Sequence, residues 1–148
     1  MPVSVVAWSP PTRVRTVGEL LQIGDVAART ELSIKTIRHY DEVGLVTPSA
    51  RSAGGFRLYT ARDIDRLLSI RRMKPLGFTL EEMRELLDAL DVIGDVSSDP
   101  ERQVHARRHL ADCHERARQA SAKLARNLAY AEELIGQLSD YGTADPTR

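Results

Sequence analysis

Between Pro100 and Leu138 the chain has no interior proline and a single interior glycine, Gly136. Proline and glycine are the residues that most readily end a helix, so this stretch predicts one long, continuous helix. At about 1.5 Å per residue it would extend nearly 60 Å, too far to bury itself against one small domain. Its apolar residues follow a heptad. Leu110, Ala117, Leu124, Ala131 and Leu138 fall on one core position, and Ala106, Cys113, Ala120, Asn127 and Leu134 on the other. Leu128 and Ile135 widen the seam. Such a seam is expected to associate with a second helix, and Asn127 within it would favour one register at some cost in stability. Self-association and binding of a different protein both remain open at this level.

The rest of the chain must therefore form a small domain. Of 148 residues, 42% are hydrophobic and 28% charged, the balance of an ordinary water-exposed fold. No apolar run approaches the roughly 20 residues of a membrane span. Residues 1–18 read as a flexible arm: the apolar patch near Met1 is followed by Pro10-Pro11, and no basic segment precedes it as in a signal peptide. The single cysteine, Cys113, excludes an intrachain disulfide and a multi-cysteine zinc site within one chain. A cytoplasmic, nucleoid-associated location is expected.

The formal net charge of zero conceals a division. Residues 1–76 carry 12 Lys and Arg against 7 Asp and Glu, a balance of +5, whereas residues 77–148 carry 9 against 14, a balance of −5. A basic half joined to an acidic half is expected to meet phosphate with the first half only.

Within the basic half, Leu20 to Val46 reads as helix, turn, helix. Ile23, Val26 and Ala27 form the inner stripe of a first short helix. Ser33 is an N-cap for a second, from Ile34 to about Glu42, on which Ile34, Ile37 and Tyr40 point inward. Lys35, Thr36, Arg38 and His39 then face outward near the helix start, as a helix that reads base edges in a major groove requires. Gly44 predicts a left-handed cap and Pro48 prevents resumption. The stretch Leu45 to Thr60 reads as two strands, one beginning at Leu45-Val46 and one at Phe56 to Tyr59, with a turn over Ser52 to Gly55. This hairpin is a wing. Arg51 and Arg57 on it, beside Phe56 and Tyr59, suit phosphate contacts on the flank of a groove. Thr60 with Asp63, and Thr79 with Glu82, have the spacing of capping boxes for two further helices. Ile64, Leu67, Leu68 and Ile70 are core candidates on the first of these, and Met83, Leu86, Leu87 and Leu90 on the second. Arg71 and Arg72 are candidates for backbone phosphate.

In order and spacing these pieces resemble the MerR family of transcription regulators. The resemblance runs from about Leu21 to Leu87 and is carried by Ile23-Gly24-Asp25-Val26-Ala27, Ser33 to Asp41, Gly44-Leu45, Gly55-Phe56-Arg57-Leu58-Tyr59, and Leu76-Gly77-Phe78-Thr79-Leu80-Glu81-Glu82. It implies an all-α fold with a small β-hairpin wing: a winged helix-turn-helix domain followed by a long antiparallel coiled-coil dimerisation helix. The expected boundaries are 19–92 for the DNA-binding domain, 93–100 for a linker, 101–138 for the helix and 139–148 for a flexible tail.

The implied function is a sequence-specific regulator that binds an inverted repeat in double-stranded promoter DNA as a homodimer. It would distort the spacer DNA so that RNA polymerase, an indirect partner, can read both promoter elements. An unidentified effector would control it, although an effector-independent architectural DNA-binding protein fits the same residues. The expected DNA-binding set is Ser33, Lys35, Thr36, Arg38, His39, Tyr40, Arg51, Gly55, Phe56, Arg57, Tyr59 and Arg71. Three positions depart from the family pattern. Glu31 stands where the turn usually has glycine, and would cost about 1 kcal/mol if that position needs positive φ. His39-Tyr40-Asp41 replaces the usual Tyr-Tyr-Glu. No large effector domain is expected after the long helix.

No catalytic constellation is legible, so no enzyme and no cofactor are expected, nor is a membrane partner. His105, His109 and Cys113 share one helical stripe at spacings of four and are the residues nearest to a metal site. Cys113 also lies in the heptad seam, where a small apolar residue belongs, and no metal centre is expected.

Overall fold

The computed structural model describes residues 18–142. All but the last residue of the expected N-terminal arm, and residues 143–148 of the expected tail, lie outside that range. The chain forms two compact units, one ending at Leu67 and one beginning at Leu68.

The first unit contains β1 (Leu21–Gln22), α1 (Ile23–Thr30), α2 (Ile34–Glu42), β2 (Ala50–Arg51), β3 (Arg57–Tyr59) and the first turns of α3 (Ala61–Met73). Local chemistry accounts for each boundary. The Ser33 hydroxyl accepts from the Thr36 amide at 3.0 Å and starts α2. Gly44, at φ 70°, ends it in the left-handed conformation, and its amide donates to the Asp41 carbonyl at 2.9 Å. Between α1 and α2, Glu31 takes the left-handed conformation at φ 57°, the expected strained position. Thr30, fully buried beside it, is satisfied because its hydroxyl donates to the Val26 carbonyl at 2.8 Å.

The sheet is antiparallel in the order β1-β3-β2, with Leu21 opposite Tyr59, Ala50 opposite Leu58, and Arg51 opposite Arg57. It departs from expectation in two ways. The first wing strand is Ala50–Arg51 rather than a strand beginning at Leu45-Val46. Leu45 and Val46 are buried, and their amides both donate to the Tyr40 carbonyl, which holds them as the exit from α2. The sheet also has a third strand, β1, immediately before α1. The core of this unit is Leu21, Val26, Ile37, Tyr40, Leu45, Val46, Tyr59, Ile64 and Leu67. Ile34, expected inside, is exposed, because the first turn of α2 projects beyond this core.

The second unit contains the end of α3, a 3-10 turn at Lys74–Leu76, α4 (Leu80–Gly94) and α5 (Pro100–Gly142). Gly77, at φ 82°, closes the turn. Thr79 and Glu82 then form the full capping box: the Glu82 amide donates to the Thr79 hydroxyl at 3.2 Å, and the Thr79 amide to the Glu82 carboxylate at 2.7 Å. Thr60 and Asp63 exchange the equivalent bonds at the start of α3. Ile70, Met73, Phe78, Met83, Leu87, Ala89 and Ala106 are buried, whereas Leu90, expected inside and on the same stripe one heptad after Met83, is exposed.

Early α5 packs along α4. Arg116 anchors it there: its guanidinium lies 4.5 Å from the centre of the Phe78 ring, pairs with Glu82 at 2.5 Å and donates to the Gly77 carbonyl at 3.3 Å. From Ser121 to Gly142 every residue of α5 is exposed. Residues 139–142, expected to be frayed, continue the helix.

Candidate nucleic-acid interface

The outward face of α2 is built by its N-cap. With Ser33 fixing the start, Ile37 and Tyr40 turn inward at a spacing of three, and Lys35, Arg38 and His39 fall on the opposite side, all exposed. Thr36 is half-buried, and its hydroxyl lies 2.8 Å from that of Ser33. This leaves one short face with two permanent cations and an imidazole close to the helix start.

The wing is tied together at its tip. The Ser52 amide donates to the Phe56 carbonyl at 2.9 Å, the Gly55 amide to the Ser52 carbonyl at 2.9 Å, and the Phe56 amide to the Ser52 hydroxyl at 3.1 Å. Gly55 sits at φ 80°, where a side chain would be strained. Phe56 is 70% exposed at this tip. A Cβ on Gly54 would lie 3.0 Å from its ring, so Gly54 gives the ring room to lie over the turn. The base of the wing is held by Asp63, which accepts from the Ser49 hydroxyl at 2.6 Å as well as from the Thr60 amide.

Two expected contact residues are not on this surface. Tyr59 is fully buried and Tyr40 is 3% exposed. Both side chains belong to the core of this unit, and groups with so little accessible area cannot make an extensive contact with DNA without unpacking that core. Burial pushes the phenols of both upward from their ordinary pKa, so both are neutral. The Tyr59 hydroxyl has no hydrogen-bond partner among the described residues. Arg57 is half-buried, and its Nε donates to the Asp41 carboxylate at 2.7 Å. Arg51 is exposed; it donates to the Gly55 carbonyl at 3.0 Å and lies 3.9 Å from the same carboxylate. No local pattern assigns Asp41 a role, because its partners are 10 and 16 residues away and the hairpin register brings them to it. Arg71 lies half-buried in the last turn of α3, in the second unit.

The metal-site candidates lie on α5. Cys113 Sγ is 3.6 Å from His109 Nε2, and burial pushes the thiol pKa upward, away from the reactive thiolate. His105 and His109 line an open cavity of about 660 Å³ with Glu85, Asp88 and Ala106. No three His, Cys, Asp or Glu side chains among the described residues are grouped to hold an ion.

Residues 21–90 match the MerR HTH family regulatory protein, and residues 64–129 match the MerR DNA-binding family. The HTH-type transcriptional regulator CueR of Salmonella typhi is 36% identical over 118 residues, covering 80% of this chain and 76% of that protein. The chain belongs to the MerR family. It is a DNA-binding transcriptional regulator of the MerR type. The transcriptional activator TipA of Streptomyces coelicolor is 37% identical over 113 residues, which is 76% of this chain but 40% of TipA.

Two solved MerR structures share the fold. HiNmlR, a regulator lacking the sensor domain and bound to promoter DNA, matches with a TM-score of 0.63 at 20% identity over 85% of this chain and 93% of its own. A regulator from Bacillus thuringiensis matches with a TM-score of 0.63 at 21% identity over 80% and 99%. The members of this family are transcriptional regulators rather than enzymes. Among the described residues no helix is long and apolar enough to cross a membrane.

Proposed function

We propose that this MerR regulator works as a cytoplasmic homodimer that reads an inverted repeat through two copies of α2 and strains the DNA between them. The observation that carries the reading is the outward face of α2, on which Lys35, Arg38 and His39 are all exposed. Residues 19–92 form the DNA-reading domain in this account, 93–100 the linker, and the helix from 101 onward the dimerisation element. Base contacts come from α2 through Lys35, Thr36, Arg38 and His39, with Ser33 at its start. Phosphate contacts come from Arg51, Gly55, Phe56 and Arg57 on the wing and from Arg71.

The exposed stripe Leu124, Leu128, Leu134, Ile135 and Leu138 supports a coiled-coil partner, because isolated soluble chains rarely leave so continuous an apolar row in water. Two heads on one dimer fix the separation of the half-sites. Deforming the spacer between them costs on the order of several kcal/mol, offset by protein contacts. RNA polymerase then responds to the altered promoter rather than to a surface of this chain, and an effector shifts the balance between two promoter shapes.

Footprinting and in vitro transcription on the protein's own upstream region test the proposal. Two protected half-sites flanking a distorted centre are expected, and Arg38→Ala should weaken specific binding by about 1–3 kcal/mol. Sequence-indifferent protection with a steep salt slope would replace the proposal with an architectural role.

A further inference from the structure

Arg51 and Arg57 face one another across the β2–β3 register. Like charges directly opposite on a strand pair repel, so this arrangement needs a counter-charge. Asp41 supplies it from the last turn of α2. A single atom, Asp41 Oδ2, lies 2.7 Å from Arg57 Nε and 3.9 Å from a terminal nitrogen of Arg51. The Asp41 side chain is only 15% exposed and that of Arg57 26%, so the pair is shielded from full solvent screening. Arg51 continues the connection by donating to Gly55 in the wing turn. One carboxylate on the recognition helix thus joins that helix to both wing strands and, through Arg51, to the wing tip.

We propose that Asp41 is a positioning residue for sequence discrimination: it sets the wing against α2 and holds two guanidiniums back from indiscriminate phosphate binding. Phosphate contacts place a protein on the duplex but carry no sequence information of their own. Two arginines released from Asp41 would take phosphates on any duplex, in geometries that no longer require α2 to be seated in its groove. The bond uses Nε of Arg57 rather than its terminal nitrogens, so a correctly seated wing still presents Arg57 to the backbone at a fixed angle.

The test uses the full chain, with the duplex that the wild-type protein selects from a random pool and a scrambled duplex, titrated by fluorescence anisotropy across a salt series. Asp41→Asn should lower the ratio of selected to scrambled affinity about tenfold, the size of one charge-assisted hydrogen bond. It should also steepen the log–log salt slope on the scrambled duplex by about one. Asp41→Glu should restore both quantities. In an Arg57→Gln background Asp41→Asn should change the ratio far less, because the residue it acts through is gone. Arg57→Lys keeps the charge and loses Nε, and should reproduce the fall in ratio if Asp41→Asn does not fold. An unchanged ratio and slope in folded Asp41→Asn, or in Arg57→Lys, would overturn the proposal. An equal effect of Asp41→Asn with and without Arg57 would do the same.

Discussion

Three single residues carry sharp consequences. Glu31 occupies a left-handed position that glycine would adopt without steric cost. Glu31→Gly should therefore raise stability by about 0.5–1 kcal/mol, the gain from removed strain less the entropy of a freer unfolded chain. A urea titration measures it, and a lower midpoint would show that the turn does not strain Glu31. Tyr59 holds a buried hydroxyl with no partner among the described residues, so Tyr59→Phe removes a desolvation penalty and leaves the packing intact. The variant should melt at the same temperature as wild type or higher. Its DNA affinity should stay within about twofold, because a buried ring makes no contact for the hydroxyl to lose; a drop of tenfold or more would return Tyr59 to the interface. Glu82 is the third. The hydrogen bond from Arg116, and then that from the Thr79 amide, lower its pKa from 4.5 to about 2. A depressed carboxylate contributes stability that is present above its unfolded pKa and lost as pH falls through the folded value. Wild type should lose this contribution between about pH 4.5 and 2. Glu82→Gln should be less stable at neutral pH and lose less across that window, which denaturant midpoints at several pH values would show. Parallel losses in both proteins would contradict it.

At the scale of elements, the helices, the wing turn and its second strand are legible in the sequence, whereas β1 and the place of β2 are not. Helix starts depend on a polar residue and its neighbour three positions on, and Ser33, Thr60 with Asp63, and Thr79 with Glu82 all form the expected bonds. The left-handed turn at Glu31 was likewise a local matter. Strands of two residues carry too little periodicity to be recognised, so the pattern gives no sign of β1 and points to Leu45-Val46 rather than Ala50–Arg51 for β2. Burial of Tyr59 follows from the central place of β3 between β1 and β2, which no local pattern contains. The candidate interface divides in the same way. The exposed face of α2 was readable from a 3.6-residue period, whereas the link from Asp41 to Arg51 and Arg57 depends on a hairpin register. The Thr79 capping box is a direct test of the local reading: Thr79→Ala should cost about 1 kcal/mol in thermal or urea unfolding. A neutral result would mean that Arg116 and the packing of Phe78 hold the start of α4 without it.

For the whole molecule, the opposed charges of the two halves and the bare end of α5 belong to one account. The recognition face lies in the basic first half, and α5 leaves Leu124, Leu128, Ile135 and Leu138 exposed along one stripe in the acidic second half. A second copy covering that stripe would double the recognition surface at a fixed spacing. The most direct measurement is the mass, by light scattering, of the complex on a duplex carrying the selected site, for wild type and for Leu128→Glu with Ile135→Glu. Two wild-type chains per duplex are expected. The double variant should be monomeric and folded, with an affinity for that duplex lower by at least about a hundredfold, since joining two weak sites typically contributes that much or more. One wild-type chain per duplex, or a double variant that binds as tightly as wild type, would contradict it.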